Sequence, residues 1–191
     1  MDPKLQALLD KQAIHEVLTG YCRALDRCDV DLMKSVYWED AHDAHGIFDG
    51  NAHEFAEFIV RGIQEWFEVA THAISNVHIE LAGTTAWSEA YLFSYCRVAG
   101  VREKVEAVFG ADYAARQTYG ENAPPWHDFV MGGRYIDKLE KRGEEWRIMR
   151  RTVVMDWNQN FPSTSIWQGG IYGQLQLLGQ RDRTDAVYDR D

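Results

Sequence analysis

The stretch NVHIELAGTTAWSEAYLFSYCRV, residues 76–98, decides the fold. Val77, Ile79 and Leu81 alternate with Asn76, His78 and Glu80, the period of two that marks a half-buried strand. Ala82-Gly83-Thr84 reads as a turn, and Thr85–Val98 is the longest strand candidate, with Trp87, Glu89, Tyr91, Phe93 and Tyr95 on one face.

Upstream the period is 3.6. Leu5, Leu8, Ile14, Val17, Leu18, Tyr21 and Leu25 form one apolar stripe and predict a helix over 4–28. Asp29 or Asp31 opens a short second helix reaching Trp38. Glu39–Asn51 suits a short strand around Ala44–Phe48 that turns at Asp49-Gly50-Asn51, and a third helix is predicted over 52–70. Downstream, 100–127 reads as a short helix and a Pro-punctuated excursion. Phe129–Leu139 and Glu145–Trp157 then make a hairpin through Lys141-Arg142-Gly143. Helices first and long strands after predict an α+β domain over 1–160, a curved sheet around a small-molecule pocket. The tail, 161–191, holds Trp167, Ile171, Tyr172 and Leu175, and is expected to pack on that domain or on a neighbouring subunit.

The formal net charge of -10 argues against nucleic acid and anionic lipid as partners. No run approaches the roughly 20 apolar residues of a membrane span, and the charged start does not resemble a signal peptide, so the cytoplasm is the expected compartment. Cys22, Cys28 and Cys96 are odd in number and form no CxxC, which speaks against disulfides and zinc. There is no GxGxxG, Walker-type loop or GxSxG elbow, so a cofactor-free protein is expected.

Three places could carry chemistry. Asp26 borders the apolar stripe of the first helix: either it pairs with Arg23 or Arg27, or it is half-buried and needs a hydrogen-bonding partner. His72, between the third helix and the sheet, is either a satisfied structural histidine or the group that Asp26 orients as a general base. Asp40-Ala41-His42-Asp43-Ala44-His45, with His53, invites a metal. Residues three apart on a strand face opposite sides, however, so His42 and His45 fit poorly as joint ligands, and no metal site is expected. A pocket-lining His45 beside Gly46 is the preferred reading.

Together these pieces resemble the SnoaL-like branch of the nuclear-transport-factor-2-like (NTF2-like) superfamily. The matching stretches are AIHEVLTGYCRALDRCDVDLMKSVYWEDAHDAHGIFDG, THAISNVHIEL, GGRYIDKLEKRGEEWRIMRRTVVMDW and GQRDRTDAVY. The resemblance implies a cone of three N-terminal helices packed on a strongly curved antiparallel sheet, with the pocket inside. Similar members include scytalone dehydratase, bile acid 7α-dehydratase, hexachlorocyclohexane dehydrochlorinase and a diarylpropane γ-formaldehyde lyase. It implies a cofactor-independent lyase of aromatic-compound catabolism, a homodimer or homotrimer, that removes water or a small fragment such as formaldehyde from a hydrophobic substrate. His72 becomes the base, Asp26 its support, and Tyr21 a leaving-group donor. Met155 stands where some relatives place an arginine, and Arg134, Arg151 or His45 are the substitutes. Trp87, Tyr91, Phe93 and Trp157 are the residues expected to hold flat rings, or else to pack the core. The superfamily also holds isomerases, cyclases, binding modules and dioxygenase β subunits, so a non-catalytic binder or assembly subunit is the alternative.

Overall fold

The computed structural model describes residues 2–190. Helix α1 (Pro3–Asp26) is capped by Asp2, whose carboxylate accepts from the Lys4 amide, and it buries Ile14, Leu18, Tyr21, Cys22 and Leu25. Cys28, with φ of 51°, breaks the helix, and Asp29 caps α2 (Val30–Ser35) by accepting from the Leu32 amide. Strands β1 (Tyr37–Ala44) and β2 (Asp49–Asn51) follow, then α3 (Ala52–Trp66), capped by Asn51. The long strands are β3 (Val69–Ala82), β4 (Thr85–Ala99), β5 (Trp126–Arg142) and β6 (Glu145–Pro162). Two short helices, α4 (Arg102–Phe109) and α5 (Ala111–Ala114), occupy the excursion between β4 and β5.

The boundaries differ from expectation at three places. The strand expected around Ala44–Phe48 ends at Ala44, residues 45–48 make the turn, and Asp49-Gly50-Asn51 is itself strand β2, paired with His42–Ala44. The second helix stops at Ser35, because Tyr37 and its successors pair with β6 from Ile148 onward. The third helix stops at Trp66, which puts His72 inside a strand rather than at its entrance.

One six-stranded sheet has the order β2-β1-β6-β5-β4-β3. Every pairing is antiparallel except β1 with β6, which is parallel. Irregularities bend it. In β5–β6 the register shifts between Gly132 and Gly133, where a Cβ on Gly133 would run into the Val154 carbonyl oxygen and one on Gly132 into the Trp157 ring. In β3 the register shifts between Ser75 and His78, and Asn76 takes φ of 49°. The core fills the concave side, between the sheet and α1 and α3.

On β4 the alternation holds throughout, but the faces are the reverse of those expected. The small even-numbered residues Ala86, Ser88, Ala90, Ser94 and Cys96, with Leu92, face the helices. Trp87, Tyr91 and Phe93 are 49%, 47% and 49% exposed on the convex side. Small residues let the helices approach and leave room for a hollow, so side-chain size rather than hydrophobicity sets the inner face.

Candidate active site

The C-terminal end of α1 lies against the start of β3. The Asp26 carboxylate accepts the His72 ring Nδ1–H at 2.7 Å and also the His72 backbone N–H, 3.0 and 3.1 Å from its two oxygens. A carboxylate only accepts, so the proton on this side of the ring sits on Nδ1, and Nε2 is left with a lone pair. One carboxylate thus fixes both the backbone and the ring of the same histidine.

His72 reaches the inner side because of the strand irregularity. Beyond Asn76, the odd residues Val77, Ile79 and Leu81 are the more buried ones; before it, the even residues Ala70, His72 and Ile74 are. Carried backwards without a break, the alternation of 77–81 would put His72 outside with His78. The left-handed residue at Asn76 inverts the faces.

The imidazole looks into a cavity of about 540 Å³ between α3, the sheet and α4. Its wall is mostly apolar, with Leu25, Ile59, Trp66, Phe67, Phe129 and Met131 among its residues. The polar side chains are His72, His45, Ser94 and Tyr135, along with the thiol of Cys96, and none of the lining residues is Asp, Glu, Lys or Arg. Asp26 does not line this cavity. It borders a more open recess of about 390 Å³ with Thr19, Arg23 and Arg27, and His72, which lines both spaces, stands between the two. Burial pushes the Cys96 thiol up to about 11 and that of Cys22 up to about 12, so neither presents a thiolate near neutral pH.

His45, just past β1, also lines the cavity. Its Nδ1 lies 2.9 Å from the fully buried Asp43 carboxylate, which accepts the Tyr37 hydroxyl at 2.6 Å on its other oxygen. The ring stacks on Phe55 with centroids 4.6 Å apart. Asp43 and Tyr37 were not foreseen, although the Asp-x-His spacing places both side chains on one strand face. His42, on the opposite face, pairs with Asp49 at 2.8 Å, and among the described residues no three His, Cys, Asp or Glu side chains group as a metal site.

The other expected site residues lie elsewhere. Tyr21 is fully buried beneath the cavity, and its ring meets Tyr37 and Tyr135 edge-on. It is not a lining residue, so the leaving-group role read for it is withdrawn. Arg151 is also fully buried. Its guanidinium lies 3.9 Å from the Tyr21 ring centre and 4.2 Å from that of Tyr135, and it grips Asp137 through two bonds of 2.7 and 2.8 Å. Burial works against its charge, yet Asp137 beside it holds the proton more tightly than usual. Arg151 is a core cation and does not line the cavity. Arg134 lies on the convex face, bound to Glu89 and Asp156. Trp157, 47% exposed, lies on the same face near Phe93, with centroids 6.3 Å apart. Trp157 therefore leaves the set of ring-holding candidates with Trp87, Tyr91 and Phe93, and Arg134 leaves the set of substitutes for the missing arginine. Met155 does line the cavity, as do Trp66 and Phe67, the aromatics on the helix side that the strand-centred reading passed over.

The C-terminal segment returns to this region. Arg181 donates to the carbonyls of Ile63 and Phe67, both cavity-lining residues, and its guanidinium lies 3.1 Å from the Cys28 sulfur. Asp185 pairs with Arg27, and Arg183 with Asp29.

No curated protein matches this chain. Among solved structures, hexachlorocyclohexane dehydrochlorinase LinA-type3 from Novosphingobium barchaimii LL02 superposes with a TM-score of 0.68 at 14% identity, covering 87% of this chain and 99% of its own. A protein from Novosphingobium aromaticivorans, provisionally assigned as a scytalone dehydratase, gives 0.60 at 17% identity over 86% of this chain and 97% of its own. The Kfla4162 protein from Kribbella flavida gives 0.62 at 14% over 80% and 95%. At such identities the likeness is one of fold. The model of the SnoaL-like domain matches residues 6–152, most of the chain and nearly all of the cone that carries Asp26, His45 and His72, and by that match the protein belongs to the SnoaL-like domain family.

Proposed function

We propose that the protein is a cofactor-independent lyase that removes water, or a small fragment such as formaldehyde, from an uncharged, largely apolar aromatic or polycyclic substrate. The observation that carries this is the 2.7 Å contact from Asp26 to His72 Nδ1, with the histidine lining an apolar cavity and the carboxylate behind it. His72 Nε2 takes the substrate proton, and Asp26 holds the tautomer and balances the imidazolium that forms. With no Asp, Glu, Lys or Arg on the wall, and each of its two imidazoles already paired with a carboxylate, a carboxylate or phosphate on the substrate would be desolvated without a free cationic partner, which selects neutral molecules. The fold-level neighbours named for dehydrochlorination and dehydration agree with such chemistry. The exposed aromatic patch of Trp87, Tyr91, Phe93 and Trp157 suits self-association as a homodimer or homotrimer; a monomer in sedimentation at micromolar concentration would contradict that part.

The test is product release from neutral aryl alcohols: alkene absorbance from aryl β-hydroxy ketones, and trapped formaldehyde from diarylpropanediols. Wild-type turnover should fall by about 10²–10⁴-fold in His72→Gln and fall markedly in Asp26→Asn, both folded by circular dichroism. A wild-type protein that binds these compounds without converting them is a binding module and sinks the lyase reading.

A further inference from the structure

The cavity contains a second carboxylate–imidazole pair that base catalysis by His72 does not require. β1 and β3 lie at opposite sides of the sheet with three strands between them, yet His45 and His72 line one hollow. His45 is held as closely as His72. Asp43, fully buried, accepts from its Nδ1 side at 2.9 Å, Phe55 stacks on its plane, and its backbone N–H donates to the Phe48 carbonyl at 2.8 Å across a turn with Gly46 at φ of 78°. Behind Asp43 the Tyr37 hydroxyl fixes the other carboxylate oxygen. The fixed cation nearby, Arg151, is taken up by Asp137 through two hydrogen bonds. An imidazolium at His45 therefore finds a carboxylate already buried beside it with no other ion-pair partner among the described residues.

We propose that His45 is the proton donor to the departing oxygen of the substrate, that Asp43 is its positioning residue, and that the bond broken is therefore carbon–oxygen. The proposal rests on the reading of His72 as base. In the step, His72 Nε2 removes a proton from the substrate and the freed electron pair forms the new double bond. The C–O bond breaks with its pair on oxygen, and His45 delivers its Nε2 proton, so that water leaves. His72 ends protonated and His45 neutral, and exchange of one proton with solvent restores both. Loss of formaldehyde with water from a diol has the same balance, with the first proton taken from a hydroxyl. A halide departs as a stable anion and needs no such donor, so this geometry favours alcohols over organohalides.

Two probes with one base step and different leaving groups test this. An aryl β-hydroxy ketone must expel hydroxide, whereas a nitrobenzisoxazole opens to a phenolate that needs no acid. His45→Gln should lose about 10²–10⁴-fold on the ketone and stay within a few-fold of wild type on the nitrobenzisoxazole, while His72→Gln loses both. Asp43→Asn should follow His45→Gln, losing turnover of the ketone while keeping that of the nitrobenzisoxazole. Equal losses of His45→Gln on both probes, or none on the ketone, overturn the proposal and leave the base intact. A wild type inert on both removes the base reading and this proposal together. Nitrogen NMR of the wild-type protein gives a variant-free check: His45 should carry its proton on Nδ1, and a neutral ring protonated on Nε2 alone would refute the pairing with Asp43.

Discussion

Arg151 shows how one side chain can mislead at the residue scale. An arginine late in a strand of a small-molecule-binding fold invites a substrate contact, yet it sits at 0% exposure between two tyrosines and on Asp137. Removing one member of a buried pair strands the other, so Arg151→Met should cost about 3–5 kcal/mol in urea unfolding. A loss near zero would mean the pair is not closed off from water. Asp26 and His72 were legible as residues worth naming, because an Asp on an apolar stripe and a His near a strand start each demand a partner. Their meeting followed only from the family resemblance, since 46 positions separate them and no local spacing encodes it. Asp43 was missed although its spacing to His45 was plain, because the Asp/His run was weighed for metal ligation and not for pairing along one strand face.

The three N-terminal helices and the four long strands were readable from period alone, whereas β1 and β2, short and mixed in polarity, were not placed correctly. What the periods could not supply was which face of a strand turns inward. β4 carries aromatics on one side and Ala, Ser and Cys on the other, and the bulkier side proved to be the convex one. In β3 a single left-handed residue inverts the faces midway, and Ser75-Asn76 is the local signal, since Asn tolerates positive φ better than most residues. Asn76→Val should therefore destabilise by about 1–3 kcal/mol and reduce turnover by disturbing His72, whereas Asn76→Gly should leave both nearly unchanged. Denaturant unfolding of the pair decides it; a Val variant as stable as wild type would show that the bulge does not depend on that backbone state.

Across the molecule as a whole, only the end of the tail, from Gln180 on, is tied to the helices beside the cavity, while Ile171, Tyr172, Leu175 and Leu177 stay exposed. Arg181 ties the C-terminal segment to the carbonyls of Ile63 and Phe67, at the end of α3 that forms part of the cavity wall. Arg181→Ala removes a donor from both carbonyls, leaving that of Ile63 with the Phe67 amide alone, and should cost about 1–3 kcal/mol, seen as a lower melting temperature together with weaker binding of neutral aromatic ligands. An unchanged melt would mean that the tail rests on the cone without supporting it. The sequence motif GQRDRTDAVY pointed to this segment, but its task became visible only once the chain end was seen against α1 and α3.

The most direct test of the Asp26–His72 dyad is turnover of His72→Ala on a neutral aryl alcohol, measured without and with added imidazole. The expected result is a loss of about 10²–10⁴-fold and partial recovery that tracks the concentration of free-base imidazole filling the vacated space. Undiminished turnover in His72→Ala without imidazole would contradict the assignment of the base.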